Sequence, residues 1–442
     1  MLKKLLFLAL SFTSVSAAHA ALQIQNWTLA NGARVYFVEN HTIPIVDLSV
    51  EFDAGSRRDP QGKAGTAALT NAMLGRGLHP AVNADGSQAP ALNEAEVSDA
   101  FADLAAQRGG SAGADRSGVT LRTLSAQDVR ERAVALMGRL LAQPAFPEAL
   151  LARDKARTVA AIRESLTKPE AIAERAFWRL AYQNHPYARE LTEVSVNAIT
   201  RADLVSFHKM HYVANRAVVA LIGDLSRAQA EAIAQQLTGG LPQGAALPAM
   251  ASTPLPQAQE ERLAHPASQA HILIGAPALV RGDPDFFPLT VGNYILGGGG
   301  FVSRLTHEVR ETRGLAYSVY SYFNPMAQAG PFQIGLQTQK GQTGQALKVV
   351  RDTLSGFLRD GPSEAELKAA KDNLVGGFAL RIDNNRKILD NIAVIGFYDL
   401  PLDYLDRWTA QIQGVTVAQI RAAFARKVFL DRMVTVVVGG PA

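Results

Sequence analysis

The sequence from Gly297 to Tyr320 reads GGGGFVSRLTHEVRETRGLAYSVY. Its order of residue types predicts a glycine-rich turn, a short amphipathic helix, a break at Gly314 and then an alternating strand. This arrangement would place Arg310 near the end of the helix and Tyr317 on the strand that follows. A guanidinium and a phenol brought together in this way can hold a peptide carbonyl group through their N–H and O–H donors. Arg310 and Tyr317 are therefore the first candidate functional residues.

The composition of the 442 residues is that of an ordinary globular protein, with 48% hydrophobic and 19% charged residues. The chain is long for one domain and has a suitable length for two. Its formal net charge of +4 includes Lys3 and Lys4, which lie in a segment that we expect to be removed, so that 4 − 2 = +2 remains. So small a charge argues against nucleic acid as a partner, because nucleic-acid surfaces usually carry a clustered basic stripe.

Residues 1–20 have the pattern of a cleaved secretory signal peptide. Lys3 and Lys4 form a charged start, an apolar run extends from Leu5 to Phe12, and Ala18-His19-Ala20 is a typical cleavage site. An ordinary buried N-terminal helix is the less favoured alternative. The chain has no cysteine, and no later stretch is apolar for long enough to span a bilayer. We expect a mature protein without a membrane span that is exported to a bacterial periplasm.

The two halves of the sequence repeat one another. The strand pattern at 44–54 recurs at 268–276, and a charged loop follows it in both halves. A helix that leads into a strand occurs at 199–223 and again at 415–439. Two matches in the same order favour a duplicated domain over coincidence.

The sequence therefore predicts an α+β fold made of two duplicated α/β domains, each with a mixed, largely antiparallel sheet and helices. We place the first domain at 21–238, a linker at 239–260 and the second domain at 261–442. The linker is rich in proline, alanine and glycine and shows no periodicity. Two such domains could close on one another as a clam shell that forms half of a chamber.

Other patterns give weaker indications of chemistry. The four glycines Gly297, Gly298, Gly299 and Gly300 do not fit a nucleotide-binding loop, because no Lys-Ser or Lys-Thr follows them and the preceding residues look helical. We expect them to cap helices or to let the backbone approach a ligand.

A pair of histidines, His208 and His211, stands three residues apart on a predicted helix. Zinc-binding histidines on a helix usually share a face with a nearby acidic residue, and no acidic residue completes such a set at this place. We therefore expect partly buried or surface histidines here.

The helix predicted at 65–77 reads GTAALTNAMLGRG. It resembles the metal-binding helix of the pitrilysin, insulinase and mitochondrial processing peptidase family of inverted zincins. The signature of that family is H-x-x-E-H, followed by Met, a hydrophobic residue and a later Gly. The two histidines bind zinc and the glutamate polarises the attacking water. In this sequence the corresponding positions are Ala68, Asn71 and Ala72.

These three side chains cannot form the family's zinc site. Alanine offers no ligand, and asparagine cannot act as a base. The resemblance implies that the third ligand, a glutamate, falls near Glu164, but one carboxylate does not make a zinc site. We expect no metal and no cofactor in this chain.

The second signature of the family is an arginine and a tyrosine seven residues apart around Gly-Leu-Ala-Tyr, and Arg310 and Tyr317 match it. In that family the pair comes from the second domain, or from a separate subunit, binds the substrate backbone and stabilises the oxyanion. The resemblance covers nearly the whole mature chain. Without it, a surface salt bridge and a sheet aromatic would be the ordinary explanation of these two residues.

The resemblance implies the non-zinc subunit of a bacterial two-subunit peptidase. Such a chain would bind peptide along a sheet edge, with Gly297 to Gly300 beside the peptide. It would supply Arg310 and Tyr317 to the active site of a sister subunit that carries H-x-x-E-H and the zinc. Two alternatives stay open: a catalytically inactive scaffold or peptide-binding protein of the same fold, and an enzyme active by itself through residues that its sequence does not reveal.

Overall fold

The computed structural model describes residues 22–82 and 86–439, and the predicted signal peptide at 1–20 lies outside the described residues. The strands are β1 (Gln25–Thr28), β2 (Arg34–Glu39), β3 (Ile45–Phe52), β4 (Gly77–Leu78), β5 (Ala81–Val82), β6 (Gln88–Ala89), β7 (Leu92–Asn93), β8 (Gln107–Ala112), β9 (Ser117–Leu124), β10 (Val218–Gly223), β11 (Gln259–Leu263), β12 (Gln269–Leu279), β13 (Ala316–Phe323), β14 (Gly330–Gln339) and β15 (Val434–Val438). The helices are α1 (Thr66–Met73), α2 (Glu94–Ala102), α3 (Gln127–Ala142), α4 (Glu148–Ser165), α5 (Pro169–Tyr182), α6 (Glu193–Ala198), α7 (Arg201–His211), α8 (Arg227–Thr238), α9 (Phe286–Asn293), α10 (Thr343–Asp360), α11 (Glu364–Gly376), α12 (Asn385–Phe397), α13 (Tyr404–Gly414) and α14 (Val417–Lys427).

The two large sheets have the same topology. The first sheet has six strands in the order β1-β2-β10-β3-β9-β8, and the second has five in the order β11-β15-β12-β14-β13. In each sheet one pair is parallel, β2 with β10 and β11 with β15, and the other neighbours are antiparallel. Apart from β1, every strand of the first sheet has a counterpart at the same place in the second. The predicted α+β fold with duplicated, largely antiparallel mixed sheets is confirmed.

The local sequence accounts for the repeated helix-into-strand units. The side chains of Thr200 and Thr416 each accept a hydrogen bond from the backbone N–H of the third residue of the helix that follows. The side chain of that third residue accepts a hydrogen bond from the backbone N–H of the threonine. This reciprocal arrangement is a capping box, which fixes the start of a helix. The strand after each helix, β10 or β15, is buried at every position and apolar except at Thr435, as expected for a strand covered on both faces of its sheet.

The helices that cover the sheets are exchanged between the two halves. Helix α5, from the first half, contacts β12 and β15 of the second sheet, whereas α12, from the second half, contacts β2, β3 and β10 of the first. Phe177 of α5 belongs to a buried cluster with Leu273 and Val436. Ile392 of α12 belongs to another with Ile222. Each half therefore buries part of its sheet only with a helix from the other half.

Strand β8 does not follow from the local sequence. The residues 93–108 have a helix-like pattern, but α2 ends at Ala102 and Gln107–Ala112 forms the edge strand β8. The sequence QRGGSA of β8 has no alternation of apolar and polar residues, and most of its side chains are exposed. Backbone pairing with β9 forms this strand, so local sequence carried no signal for it.

The chain between the two sheets has neither helix nor strand over 241–258. This segment falls inside the predicted linker at 239–260, whose last two residues belong to β11. The domain boundaries themselves stay a prediction. Within residues 22–82 and 86–439, no helix is both long enough and apolar enough to cross a membrane.

The buried carboxylate of Asp115, between β8 and β9, ties the two halves together. One of its oxygens lies 3.2 Å from Nη1 of Arg57 and accepts a hydrogen bond from the Tyr187 hydroxyl at 2.5 Å. The other accepts hydrogen bonds from the Tyr398 hydroxyl and the Ala327 N–H, both at 2.8 Å. Removal of one partner from a buried charge network is costly, because the remaining charge loses its compensation.

We expect Asp115→Ala to lower the free energy of unfolding by about 3 kcal/mol, because Arg57 and two tyrosine hydroxyls lose their buried acceptor. Urea denaturation followed by circular dichroism measures this change. The control is Asp352→Ala, whose exposed carboxylate forms an ion pair with Lys348 on the same helix. That variant should unfold at the wild-type urea concentration. Equal midpoints for the two variants would contradict the role of Asp115.

Candidate functional site

Strand β13 forms one edge of the second sheet. In the part of the chain that the structure describes, β14 is its one hydrogen-bonded neighbour, so its outer edge is unpaired. The pairing with β14 shifts by one residue between Ala316 and Val319, which is a β-bulge. Bulges of this kind redirect side chains and are common next to functional sites. Here the bulge leaves Tyr317 with 79% of its surface exposed.

The structure brings Arg310 and Tyr317 together, as the sequence indicates. The guanidinium carbon of Arg310 lies 4.9 Å from the centroid of the Tyr317 ring and 4.7 Å from that of Phe301. Among the described residues, Arg310 makes no ion pair and no side-chain hydrogen bond. Two aromatic rings thus hold the cation while its N–H donors stay available to a ligand.

Phe301 was missed as a candidate functional residue. Phe301 is 66% exposed, and its ring provides the second aromatic contact with Arg310, from the end of the glycine-rich segment. An aromatic residue directly after four glycines was the available signal, but its contact with Arg310 depends on how the segment folds.

The backbone before β13 differs from the predicted turn. Helix α9 continues into a π-helical segment at Tyr294–Gly298, followed by a 3₁₀ turn at Gly300–Val302. The predicted short helix after it is present as a second π-helical segment, Thr306–Glu311. The prediction of a glycine-rich turn was therefore wrong for Gly297 and Gly298, which are helical. Single-turn π-helical segments occur frequently at functional sites.

The four glycines have different environments. Gly297 is buried, and a Cβ atom there would lie 2.5 Å from Oγ and 2.7 Å from the backbone nitrogen of Ser321 on β13. Its missing side chain lets the helix lie directly against the site strand. Gly300 adopts a φ of +61° and faces open space, a conformation that favours glycine. The role of Gly297 to Gly300 beside a peptide stays a prediction.

We expect Gly297→Ala to lower the free energy of unfolding by about 1–3 kcal/mol, because the added methyl group would overlap backbone atoms of β13. Thermal and urea unfolding measure the change. Gly341→Ala is the control, since a Cβ atom there meets nothing within 4 Å. Equal stability of both variants would show that the absence of a side chain at Gly297 is not required for the close approach of the helical segment to β13.

The helix that resembles a zinc-binding helix is α1. Ala68 and Ala72 lie on its exposed face, whereas the Asn71 side chain is buried and donates hydrogen bonds to the Gly118 carbonyl oxygen at 3.0 Å and to the Tyr212 hydroxyl oxygen at 3.3 Å. Burial raises the pKa of Tyr212 to about 12, so this phenol is neutral. Asn71 therefore joins α1 to β9 and to the end of α7.

The residues present at α1 do not fit zinc. Two methyl groups and an engaged amide provide no set of imidazole or carboxylate ligands. Across the described residues, no group of three or more His, Cys, Asp or Glu residues could hold a metal ion. Glu164, which the resemblance suggested as a third ligand, has 70% of its side chain exposed and pairs with Lys168. The exact position that corresponds to this ligand stays a prediction. Helix α4 directs Asp154 to Arg76, which lies just beyond the end of α1.

The two histidines of α7 are structural. The ring nitrogen Nε2 of His208 lies 2.7 Å from the Leu141 carbonyl oxygen, and Nδ1 of His211 lies 3.0 Å from that of Asp53. Both side chains are buried, and burial lowers the pKa of His211 to about 4. Each imidazole is thus within hydrogen-bond distance of a backbone carbonyl oxygen.

A cavity of about 630 Å³ lies beside the Arg310 site. Phe301 and Val302 form its border with the site, and side chains of α10 and of the second π-helical segment complete its walls. Val302 is largely exposed. The site therefore consists of a free sheet edge, an aromatic-bound guanidinium, an exposed phenol and an adjoining cavity.

The fold and the site define a class of protein: a duplicated two-sheet chain whose metallopeptidase-like helix has no metal ligands and whose second sheet carries an Arg–Tyr pair at its edge. A family model described as Peptidase M16 inactive domain matches residues 198–374. The structure is similar to the crystal structure of a peptidase M16 inactive domain from Pseudomonas fluorescens, with a TM-score of 0.88 and 38% identity over 95% of this chain and 98% of that chain. The chain belongs to the peptidase M16 family, which confirms the resemblance found in the sequence.

Two further relatives differ in what their names say. A protein of Mycobacterium leprae named an uncharacterized zinc protease is 30% identical over 295 residues, which is 65% of each chain. A protein of Helicobacter pylori named non-peptidase homolog YmxG is 27% identical over 397 residues, which is 87% of each chain. The family thus includes relatives named as peptidases and as non-peptidases.

Proposed function

We propose that this chain is the non-zinc subunit of a heteromeric zinc metallopeptidase. It binds peptide and supplies Arg310 and Tyr317 to an active site completed by a partner subunit that carries H-x-x-E-H. One observation carries the proposal: Arg310 is held by two aromatic rings without a carboxylate partner among the described residues, while α1 of the same chain has no metal ligands. An arginine that is free to bind substrate and a helix without metal ligands can serve one active site if another chain holds the metal.

Lack of peptidase chemistry in the isolated chain has support from two directions. Ala68 and Ala72 cannot bind zinc, and Asn71 cannot act as a base for water. The matched family model is that of an inactive domain, and a relative that is similar over 87% of the chain is named a non-peptidase homolog. The relative named as a zinc protease matches over 65% of its length.

The chemistry of the pair suits a peptide that is being hydrolysed. Attack of water on a peptide carbonyl group places negative charge on its oxygen, and donors positioned around that oxygen stabilise the transition state. The Arg310 guanidinium can donate two N–H bonds in one plane, and the Tyr317 hydroxyl can donate one. The bulge directs the Tyr317 side chain outwards, towards the place where a partner subunit would bind.

The edge of β13 is suited to an extended peptide. An unpaired strand edge presents N–H and C=O groups that can bind a further strand, which is a common mode of peptide recognition. Gly298 and Gly300 are exposed, and the residues that follow them, Phe301 and Val302, line the adjoining cavity. In this proposal the cavity receives a side chain of the bound peptide.

The partner, the zinc and the location belong to the same proposal. The zinc is held by the sister subunit, and the signal-like sequence at 1–20 would export this chain to the periplasm, where both subunits meet. An adjacent gene for an H-x-x-E-H chain of similar length would support this arrangement.

In a complex of this chain with its zinc-bearing partner, Tyr317→Phe and Arg310→Gln should each lower kcat for peptide cleavage by about 100-fold, since each removes a donor to the oxyanion. Tyr320→Phe on the same strand is the matched control and should keep wild-type turnover. Unchanged turnover in Tyr317→Phe would contradict the oxyanion role.

Metal analysis and an activity assay separate the alternatives. The isolated chain should bind no stoichiometric zinc and cleave no peptide, and the isolated partner should be far less active than the complex. A partner that is equally active alone would favour the inactive scaffold or peptide-binding protein. Peptide cleavage by this chain alone would favour an independent enzyme.

A further inference from the structure

A second cavity, of about 290 Å³, lies where the chain enters α9. Its walls are mainly apolar and are formed by Phe286, Phe287, Leu400, Pro401 and Tyr404. Arg281 is also among the residues that line this cavity. Small-molecule sites are typically concave, mostly apolar and equipped with few polar groups that fix the ligand's orientation.

The Arg281 guanidinium has no anionic partner within salt-bridge distance among the described residues. Its carbon lies 5.1 Å from the centroid of the Tyr398 ring, and its Nε atom is buried without a hydrogen-bond acceptor in the described part of the chain. Burial lowers the pKa of Arg281, which means that the charged form is poorly solvated there. Unsatisfied buried donors are rare, and each calls for an explanation.

The internal duplication provides a comparison for Arg281. The loop that contains Arg57 stands in the first half where the loop of Arg281 stands in the second. Arg57 is neutralised by Asp53 at 2.9 Å and by Asp115 at 3.2 Å. No carboxylate of the described residues pairs with Arg281 in this way, so the ion pairs that explain Arg57 do not explain Arg281.

The acidic residues around the cavity are already engaged. Asp283 forms an ion pair with Lys427, and Asp403 lies 3.5 Å from Arg407. Both oxygens of Asp115 accept hydrogen bonds from other groups. The uncompensated charge at this cavity is therefore positive and centred on Arg281.

We propose that this cavity binds a small carboxylate with an aromatic or bulky aliphatic body. The carboxylate pairs with Arg281, whose planar N–H groups match it, and the body lies against Phe286, Phe287 and Tyr404. The volume suits a ligand on the order of ten non-hydrogen atoms. Two sources share this chemistry: a free carboxylic acid and the C-terminal carboxylate of a peptide that ends in a bulky apolar residue. The inference does not depend on the proposed peptidase role, because it uses none of the residues at the Arg310 site.

Isothermal titration of the mature full-length chain tests the proposal with 3-phenylpropanoate as the probe. We expect saturable one-to-one binding, and binding of the neutral 3-phenylpropanamide weaker by about tenfold or more, because the amide lacks the charge that pairs with Arg281. Arg281→Gln should weaken carboxylate binding by a similar factor. Lys348→Gln, which removes one exposed cation elsewhere, should bind as the wild type does.

Two further arms distinguish the source of the carboxylate. A pentapeptide of four glycines and a C-terminal phenylalanine is titrated as the free acid and as the C-terminal amide. Binding of the free acid alone assigns a peptide C-terminus, and binding of 3-phenylpropanoate without either peptide assigns a free carboxylic acid. Both results support the proposal.

Three results would overturn it: no binding of any carboxylate, equal binding of acid and amide, or carboxylate binding that Arg281→Gln leaves unchanged. Inorganic phosphate is titrated as well, and phosphate binding without carboxylate binding would also overturn it. The melting temperature of each variant is measured first. If Arg281→Gln does not fold, Arg281→Lys and Tyr404→Ala replace it, with weakened carboxylate binding expected in both, because the first loses the planar pairing and the second loses apolar contact.

Discussion

The exchange of α5 and α12 between the two halves is the constraint on which the rest of the structure depends. Each helix buries apolar side chains against the sheet of the other half, so neither sheet can complete its core without the other half. Burial of apolar surface is the main favourable contribution to folding, and here it is shared across the duplication. Tyr187 follows α5, Tyr398 follows α12, and both hydroxyls reach the same carboxylate, that of Asp115. The apolar contacts of α5 and α12 and the hydrogen bonds of Asp115 thus join the same two halves of the chain.

The two halves share one sheet topology, but their side chains differ in chemistry. In the first half, the position at which the resembling family carries a catalytic base is occupied by Asn71, whose amide now joins three structural elements. In the second half, the edge strand keeps a tyrosine at a bulge and a cation between two rings. A cation held in this way retains its donors, because no carboxylate among the described residues neutralises it. The same contrast separates Arg57, which is neutralised, from Arg281, which is not.

Much of the fold could be predicted from local patterns. Capping threonines, apolar strands and the repeated order of helices and strands can each be recognised from short stretches of sequence. The meeting of Arg310 with Tyr317 was also predictable, since a short helix and the following strand bring them together. The exchange of helices was not, because an amphipathic helix carries no signal for which sheet it covers. Strand β8 has no apolar alternation and exists through its pairing with β9. The continuation of the helix through Gly297 and the contact between Phe301 and Arg310 depend on tertiary packing, which outweighs the turn preference of four glycines.

The central claim is that Tyr317 faces the metal helix of another chain. Site-specific photo-crosslinking tests it most directly: benzoylphenylalanine is placed at position 317 of the chain, cells are irradiated, and the crosslinked peptides are identified by mass spectrometry. The same group at position 380, where Leu380 is exposed elsewhere on the second half, is the control. The account predicts an adduct from position 317, and not from position 380, within or beside the H-x-x-E-H helix of a zinc-binding subunit. An adduct on a chain without that motif, or none at position 317 in cells that cleave the peptide substrate, would contradict it.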